Sequence, residues 1–316
     1  MAAPPAAGIR VAWEDVPASV RSAVEDECGS PVVTARTQPG GFSPGVAARV
    51  VCADQARYFI KTASGEVNPD TPRLHRQEGE ILAALDPVIV ARHLPIPRLR
   101  AVVDRDPWLA LIIEDVDGRH PAVPWHPGDL AQVVATLDQL GESLTPSPIR
   151  VPSVGDKFGG DFTGWRTLAR SPEQDGLDPW SRARLSDLAA LEATWAEHAA
   201  GDTLLHADVR ADNLLLAQDR IVFVDWPHAC LGAPFVDLVL FAPSVAMQDG
   251  PELAGLLALS SLNRDVDPRS LAAVVCAAAG YLTYRSLQPP PPGLPTVRAF
   301  QAAQGVIARR WLAELV

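Results

Sequence analysis

Leu204-Leu205-His206-Ala207-Asp208-Val209-Arg210-Ala211-Asp212-Asn213-Leu214-Leu215-Leu216, followed by Ile221-Val222-Phe223-Val224-Asp225-Trp226, is the stretch on which the reading of this chain turns. The apolar runs 214–216 and 221–224 flank Gln218-Asp219-Arg220 and are predicted as two short strands joined by a turn. Asp208 and Asn213 then lie in the loop that enters a hairpin, and Asp225 lies at its exit. Three oxygen-bearing side chains are thereby expected to converge on one point. A buried hairpin with charged turns would explain the Leu and Val runs, but not a His, two Asp and an Asn packed around an apolar core. A zinc site of His206, Asp208, Asp225 and His228 matches no common zinc spacing, and no Cys pair supports it.

The chemistry suited to such a point is phosphoryl transfer. One carboxylate positions an attacking hydroxyl and takes its proton. An amide oxygen and a second carboxylate hold Mg²⁺, a hard ion that prefers oxygen. H-x-D-x-x-x-x-N followed by a strand-borne Asp is the catalytic-loop and metal-Asp pattern of kinases. On His206-x-Asp208-x-Arg210-x-Asp212-Asn213 and Asp225-Trp226-Pro227-His228-Ala229, the chain resembles the aminoglycoside phosphotransferase enzyme family, and most of all its actinobacterial members. These are small-molecule kinases on the protein-kinase fold. The resemblance implies an α+β, two-lobed kinase-like architecture. An N-lobe of antiparallel sheet plus helix would span 1–113, a hinge 114–118, and a mainly helical C-lobe with the catalytic hairpin 119–316. It implies ATP and Mg²⁺ as cofactors. Asp208 is expected to position and deprotonate an alcohol, Arg210 to neutralise γ-phosphate charge, and Asn213 and Asp225 to hold the metal. His206 would brace the loop, Asp237 would brace it from below, and Asp212 stays outside the chemistry.

Upstream, residues 1–10 are expected to be disordered. Pro17 to Cys28 reads as a helix, started at Asp15 and stopped by Gly29. Three strand-like runs follow, Val32–Gln38, Val46–Ala53 and Tyr58–Ala63, as an antiparallel meander. Its first turn is Pro39-Gly40-Gly41-Phe42-Ser43-Pro44-Gly45. Glycines let a backbone approach phosphates, although a plain hairpin turn would use the same residues. The family resemblance covers this turn and puts Gly41, Phe42 and Ser43 on the nucleotide. Lys61 sits within an apolar strand and needs an anionic partner if it faces inward. In the helix predicted over Arg73–Leu85, Glu78 shares a face with Leu74, Ile81 and Leu85, whereas Glu80 does not. Lys61–Glu78 is therefore predicted as the ion pair that sets Lys61 on the α- and β-phosphates; the alternative leaves Glu78 at the rim of the stripe. Leu99–Val103 and Leu109–Ile113 read as two further strands. They run into Glu114-Asp115-Val116-Asp117-Gly118, where the resemblance implies that backbone groups of Glu114 and Val116 meet the adenine.

Beyond the hinge, Asp129–Leu144 is predicted helical. Residues 145–180, rich in Pro, Gly, Asp and Trp, read either as a small-molecule pocket or as a solvated connector. Arg182–Ala200 reads as one long helix, and 251–262, 268–286 and Val297–Leu315 as three more, the last two joined by a stiff proline-rich connector. Of the 316 residues, 47 % are hydrophobic and the net charge is −11, so a packed globular protein with no basic nucleic-acid surface is expected. The acidic balance is compatible with a cationic acceptor. Cys28, Cys52, Cys230 and Cys276 are scattered as reduced core thiols would be. No leader with a basic start and apolar run is seen, and the Ala-rich run between Arg269 and Arg285 falls below the ~18 residues that span a bilayer. The sequence thus predicts a cytoplasmic phosphotransferase, monomer or homodimer, whose partner is a small hydroxylated acceptor, neither nucleic acid nor membrane. The acceptor is an aminoglycoside-like antibiotic, or a choline-, homoserine- or sugar-like alcohol. A catalytically silent nucleotide-binding scaffold of the same fold is the alternative.

Overall fold

A computed structural model of the protein describes residues 3–171, 176–218, 220–263 and 265–316. The first helix, α1 (Ala18–Cys28), ends at Gly29 in the left-handed conformation, φ 80°. Strands β1 (Val32–Thr37), β2 (Val46–Cys52) and β3 (Arg57–Ser64) precede the long helix α2 (Asp70–Arg92), and β4 (Leu99–Arg105) and β5 (Trp108–Glu114) follow it. The five strands form one antiparallel sheet in the order β1-β2-β3-β5-β4. Alternation along the strands decides what each face buries. Val46, Ala48, Val50, Ile60, Ala110 and Ile112 pack with Val20 and Val24 of α1. On the opposite face Leu109, Leu111 and Ile113 meet Ile81, Leu82 and Leu85 of α2. Helix α2 outruns its predicted end at Leu85 because the apolar stripe continues to Ile89, which is buried; the helix stops only at His93, φ 51°.

The rest is mostly helical. Strand β6 (Gly118–Arg119) precedes α3 (Pro127–Ser143), α4 (Val154–Phe158), α5 (Gly164–Arg170), α6 (Pro179–Ala183), α7 (Leu185–Glu192) and α8 (Trp195–His198). Next come β7 (Thr203–Leu205), β8 (Leu214–Ala217), β9 (Ile221–Phe223) and β10 (Cys230–Gly232), then α9 (Phe235–Met247), α10 (Leu253–Leu259), α11 (Pro268–Ser286) and α12 (Val297–Leu315). The expected hairpin is present: Leu214, Leu215 and Leu216 pair with Phe223, Val222 and Ile221. Its turn, predicted over 218–220, includes Asp219, which lies outside the described residues. Strand β6 flanks this hairpin, while β7 pairs with β10. The four cysteines are free and buried. Among the described residues no helix is long and apolar enough to cross a membrane.

Three expectations need correction. The single helix predicted over Arg182–Ala200 is three short ones. Leu185, Leu188, Glu192, Trp195 and Ala199 keep helical spacing and are all buried, so the pattern alone reads as continuous. The break is local: Thr194 turns both its N–H (3.1 Å) and its hydroxyl (2.9 Å) onto Leu191 O, a side-chain bond that competes with the helical ladder. Residues 145–180 are not wholly irregular, because α4 and α5 lie within them. Finally, residues 3–10 are ordered. Gly8 N bonds Gly41 O (2.8 Å), Gly45 N bonds Ile9 O (3.1 Å), and Ile9 N bonds Gly293 O (2.9 Å). The segment is held through its main chain, an interaction that leaves no side-chain period to read.

Helix α5 starts where it crosses α11 at closest approach. A Cβ on Gly164 would lie 2.0 Å from Gly280 O, and one on Gly280 would lie 2.7 Å from Trp165 Cδ1. Glu192, fully buried, caps α5 by accepting from Trp165 N (2.9 Å) and Arg166 N (3.0 Å). Gly164→Ala is therefore expected to cost at least about 1–3 kcal/mol through overpacking against rigid backbone. Gly160→Ala, where nothing lies within 4 Å, should stay within about 0.5 kcal/mol. Urea unfolding midpoints at constant m check the pair; equal midpoints would mean the crossing has slack.

Candidate active site

The site is built around a sharply bent loop. Strand β7 delivers His206, and Ala207 follows at φ 60°, a conformation that a residue with a Cβ seldom adopts. Asp237, in the first turn of α9, holds it there by accepting from His206 N (3.0 Å) and Ala207 N (2.7 Å). Burial pushes the Asp237 carboxyl up, against the pull of His206 and these two N–H donors. His206 is itself buried. Its Nε2 bonds Val224 O at 2.9 Å and its Nδ1 accepts from Asp208 N at 3.2 Å. One ring nitrogen thus donates and the other accepts, the neutral form that burial favours. Both being engaged, His206 has no lone pair for a metal, so the zinc reading fails on geometry.

Asp208 points into the central cavity. Its Oδ2 accepts from Asn213 Nδ2 (3.1 Å) and its Oδ1 from Arg210 Nη1 (2.5 Å). Arg210 also forks onto Asp212 (3.0 and 2.9 Å) and lies over the Phe42 ring, 5.4 Å from its centroid. Burial alone would lower this guanidinium, but Asp208 and Asp212 hold it well above its ordinary value.

Asp225 leaves β9 at φ 71° and accepts from Lys61 Nζ at 2.8 Å. The same ammonium bonds Glu78 at 2.7 and 2.9 Å, so one buried cation sits between two carboxylates from separate elements. Glu78 lies inside, not at a rim. The two acids respond oppositely. Burial raises Glu78 despite Lys61. Burial would raise Asp225 too, but Lys61 and Arg210 hold it well below the usual carboxylate range.

The glycine-rich turn covers this cluster. Gly40, Gly41 and Gly45 all have positive φ (91°, 78°, 126°), and a Cβ on Gly45 would meet Thr62 O at 2.3 Å. Phe42 reaches down to α12, edge-on to Phe300 at 5.1 Å. The cavity beneath has a volume of about 340 Å³. Phe42, Ser43, His75, Asp208, Arg210 and Asp225 line it, together with Phe158, Asp161, Phe162, Tyr281, Phe300 and Gln301. Part of 145–180 thus lines a pocket, while its Trp165 is core, with Nε1 on Cys276 O. Asp161 is paired with Arg285. Gly41, Lys61, Glu78 and Asn213 are not among the residues lining the cavity, and Gly41 sits beside Arg10. Glu114 and Val116 lie outside it, at the end of β5; the Glu114 carboxylate accepts from Arg98 N (3.1 Å) and Arg220 (3.2 Å).

Several lining residues escaped the sequence reading. His75 was findable: it precedes Glu78 by one helical turn and shares its face. Tyr281 and Phe300 sit on helices far along the chain, with no local mark of their destination.

Asp237→Ala should cost about 1–3 kcal/mol for each of the two buried N–H groups it orphans, and Asp237→Asn less, because one acceptor survives. Denaturant titration and amide exchange at His206 and Ala207 check this. Unchanged exchange in Asp237→Ala would show that the bend holds without the carboxylate.

Comparison with solved structures places the fold. An aminoglycoside phosphotransferase from Alicyclobacillus acidocaldarius superposes with a TM-score of 0.55 at 18 % identity, over 90 % of this chain and 91 % of its own. The choline kinase LicA from Streptococcus pneumoniae gives 0.57 at 14 % identity over 94 % and 100 %, and a LicA structure in complex with AMP gives 0.61 at 14 % over 95 % and 100 %. The amicoumacin kinase hAmiN, in complex with AMP-PNP, Ca²⁺ and Ami, gives 0.55 at 12 % over 87 % and 90 %. At these identities the likeness is one of fold, and the fold is kinase-like. No curated protein sequence matches the chain. The family model for the phosphotransferase enzyme family matches residues 35–274, and on that match, with the kinase-like fold beneath it, the chain belongs to this family.

Proposed function

We propose that this phosphotransferase moves the γ-phosphate of ATP onto a hydroxyl of a small molecule. The observation that carries the reading is the Lys61 ammonium bonded to both Glu78 and Asp225, with Asp225 and the Asn213-bonded Asp208 lining one cavity. The sheet-bearing residues 1–113 and the helical residues 119–316 would clasp the nucleotide, joined at 114–118. Lys61, fixed by Glu78, would pair the α- and β-phosphates. Two neighbours solved with AMP or AMP-PNP support an adenine nucleotide. With the Glu114 carboxylate turned onto Arg98 and Arg220, only backbone groups at 114–116 remain for the base.

Asn213 and Asp225 would be the residues to hold Mg²⁺. Asn213 turns its amide nitrogen to Asp208, which directs its oxygen away from that carboxylate, and Lys61 is bonded to Oδ1 of Asp225. Two oxygens suit an ion that keeps waters and phosphate oxygens as its other ligands, where it would neutralise phosphate charge. Asp208 would orient the acceptor hydroxyl and take its proton as the O–P bond forms, the γ-phosphate leaving ADP. Arg210, bonded to Asp208 and lying over Phe42, would add positive charge beside the transferring group.

The acceptor wall narrows the substrate. It is aromatic, and its carboxylate, Asp161, is already neutralised by Arg285. A polycationic aminoglycoside needs several free carboxylates, so an alcohol with an apolar or singly charged body fits better.

The test is thermal shift with ATP, with and without Mg²⁺, followed by ATP consumption against a panel of hydroxylated metabolites and antibiotics. A native-state ligand at a hundred times its Kd adds about 2.7 kcal/mol. A metal-dependent shift is expected, and Lys61→Met should lose it. With an accepted alcohol, Asp208→Asn should lower kcat by about 10²–10⁴ and leave ATP affinity nearly unchanged. Near wild-type kcat in Asp208→Asn would sink the mechanism, and binding without turnover on any alcohol would favour the silent scaffold.

A further inference from the structure

The glycine-rich turn of this chain is poorly equipped to hold phosphates alone. Pro39 and Pro44 have no N–H to offer. The carbonyls of Gly40 and Ser43 are directed at a protein cation: Arg10 donates Nη2 to Gly40 O and Nη1 to Ser43 O. The contact is close enough that a Cβ on Gly41 would fall 2.9 Å from Arg10 Nη2. Main-chain bonds from Gly8, Ile9 and Val11 to Gly41 and Gly45 fix Arg10 in this position.

Polar atoms in this region are left unused. Among the described residues Arg10 Nε is buried with no hydrogen-bond partner, and so are both ring nitrogens of His75, one of which carries an N–H in the neutral form. His75 is only 3 % exposed and lines the cavity, as do Ser43 and Asp225. Arg10 does not line the cavity itself; it stands directly behind the lining through its bond to the Ser43 carbonyl. Buried donors without acceptors are costly and uncommon. A group of acceptor oxygens carrying negative charge would take the N–H of each.

We propose that Arg10 and His75 are phosphate-binding residues, an arm reached from the N-terminal segment and α2 that takes the β- and γ-phosphates of the nucleotide where the proline-stiffened turn supplies carbonyls instead of N–H groups. The proposal rests on the reading of this cavity as the ATP site. Arg10 turns the negative underside of the loop into a positive one and offers Nε–H to a phosphate oxygen. His75 offers its single ring N–H. Lys61 remains the contact for the α- and β-phosphates, so the arm acts chiefly on phosphates that ATP has and AMP lacks.

The test is isothermal titration of the full chain with Mg-ATP, Mg-ADP and AMP. Wild type is compared with Arg10→Gln, Arg10→Lys, His75→Leu and His75→Gln, with circular dichroism and unfolding midpoints as controls of folding. Arg10→Gln should weaken ATP by about ten-fold or more, the weight of a charged hydrogen bond, and leave AMP within about two-fold by the same reckoning. Arg10→Lys should fall between. His75→Leu should lower the ATP-to-AMP affinity ratio, and His75→Gln, which keeps an N–H donor, should recover it. If Arg10→Gln does not fold, the ATP-to-AMP ratio of Arg10→Lys decides. Equal losses for ATP and AMP would overturn the proposal in favour of a structural role for Arg10, and tighter ATP binding in Arg10→Gln would overturn it in favour of a plug. Failure of wild type to bind any nucleotide would instead sink the ATP reading on which the proposal stands.

Discussion

The Lys61 ammonium, buried between Glu78 and Asp225, is the constraint on which the rest depends. It joins the third strand of the sheet, the helix behind it and the exit of the β8–β9 hairpin, and the backbone of Trp226 at that exit adds a hydrogen bond to Glu78. Removing three charges from water is expensive, and a well-packed apolar trio of the same volume would often be as stable or more so. The arrangement is therefore poorly explained as a device for stability. It makes sense as a store of charge held in a fixed place. The opposite responses of the two acids say how the store is divided. Asp225, with Lys61 and Arg210 near, keeps its charge firmly, while burial works against the charge on Glu78.

The same hairpin carries backbone strain at both ends. Ala207 and Asp225 have Cβ atoms yet adopt positive φ, a cost that persists only where surrounding bonds impose it. At the entrance Asp237 imposes it through two N–H donors; at the exit the Lys61 contact anchors the Asp225 side chain. His206 then ties the two ends together across the hairpin by bonding Val224 O. The positions of Asp208 and Asp225 are thus fixed from below and from across, so the two carboxylates cannot drift apart independently.

What could be read in advance divides along the range of the interactions. Asp208, Asn213 and Asp225 were legible because one contiguous stretch builds their hairpin, and Glu78 because a helical period set it on an apolar face where a lone acid needed a partner. Helix α9 was not, because Phe235–Met247 is apolar nearly all round and shows no period. The long helix expected over 182–200 failed for the opposite reason, an intact period broken by one threonine's local bonds. Arg10 was invisible: its guanidinium meets the carbonyls of a loop thirty or more positions away, and an alanine- and proline-rich segment gives no hint of such a partner.

The division also explains why reaction class and acceptor do not come from the same residues. The groups that would handle phosphate and metal arise from a strand, a helix and one hairpin, all tied to the Lys61 cluster. The aromatic lining that would face the acceptor is assembled from the α4–α5 region, α11 and α12, elements distant in the chain that meet in the helical part. Phe42 links the two groups, since it lies beneath the Arg210 guanidinium and edge-on to Phe300. Change in Tyr281, Phe300 or Gln301 could therefore alter what enters the cavity without moving the ion cluster, and a family match of this kind fixes the chemistry while leaving the wall free to differ. The width of the cavity depends on the seat of the glycine-rich turn through Phe42, so the loop that would cover the nucleotide would also set one edge of the space left for an acceptor.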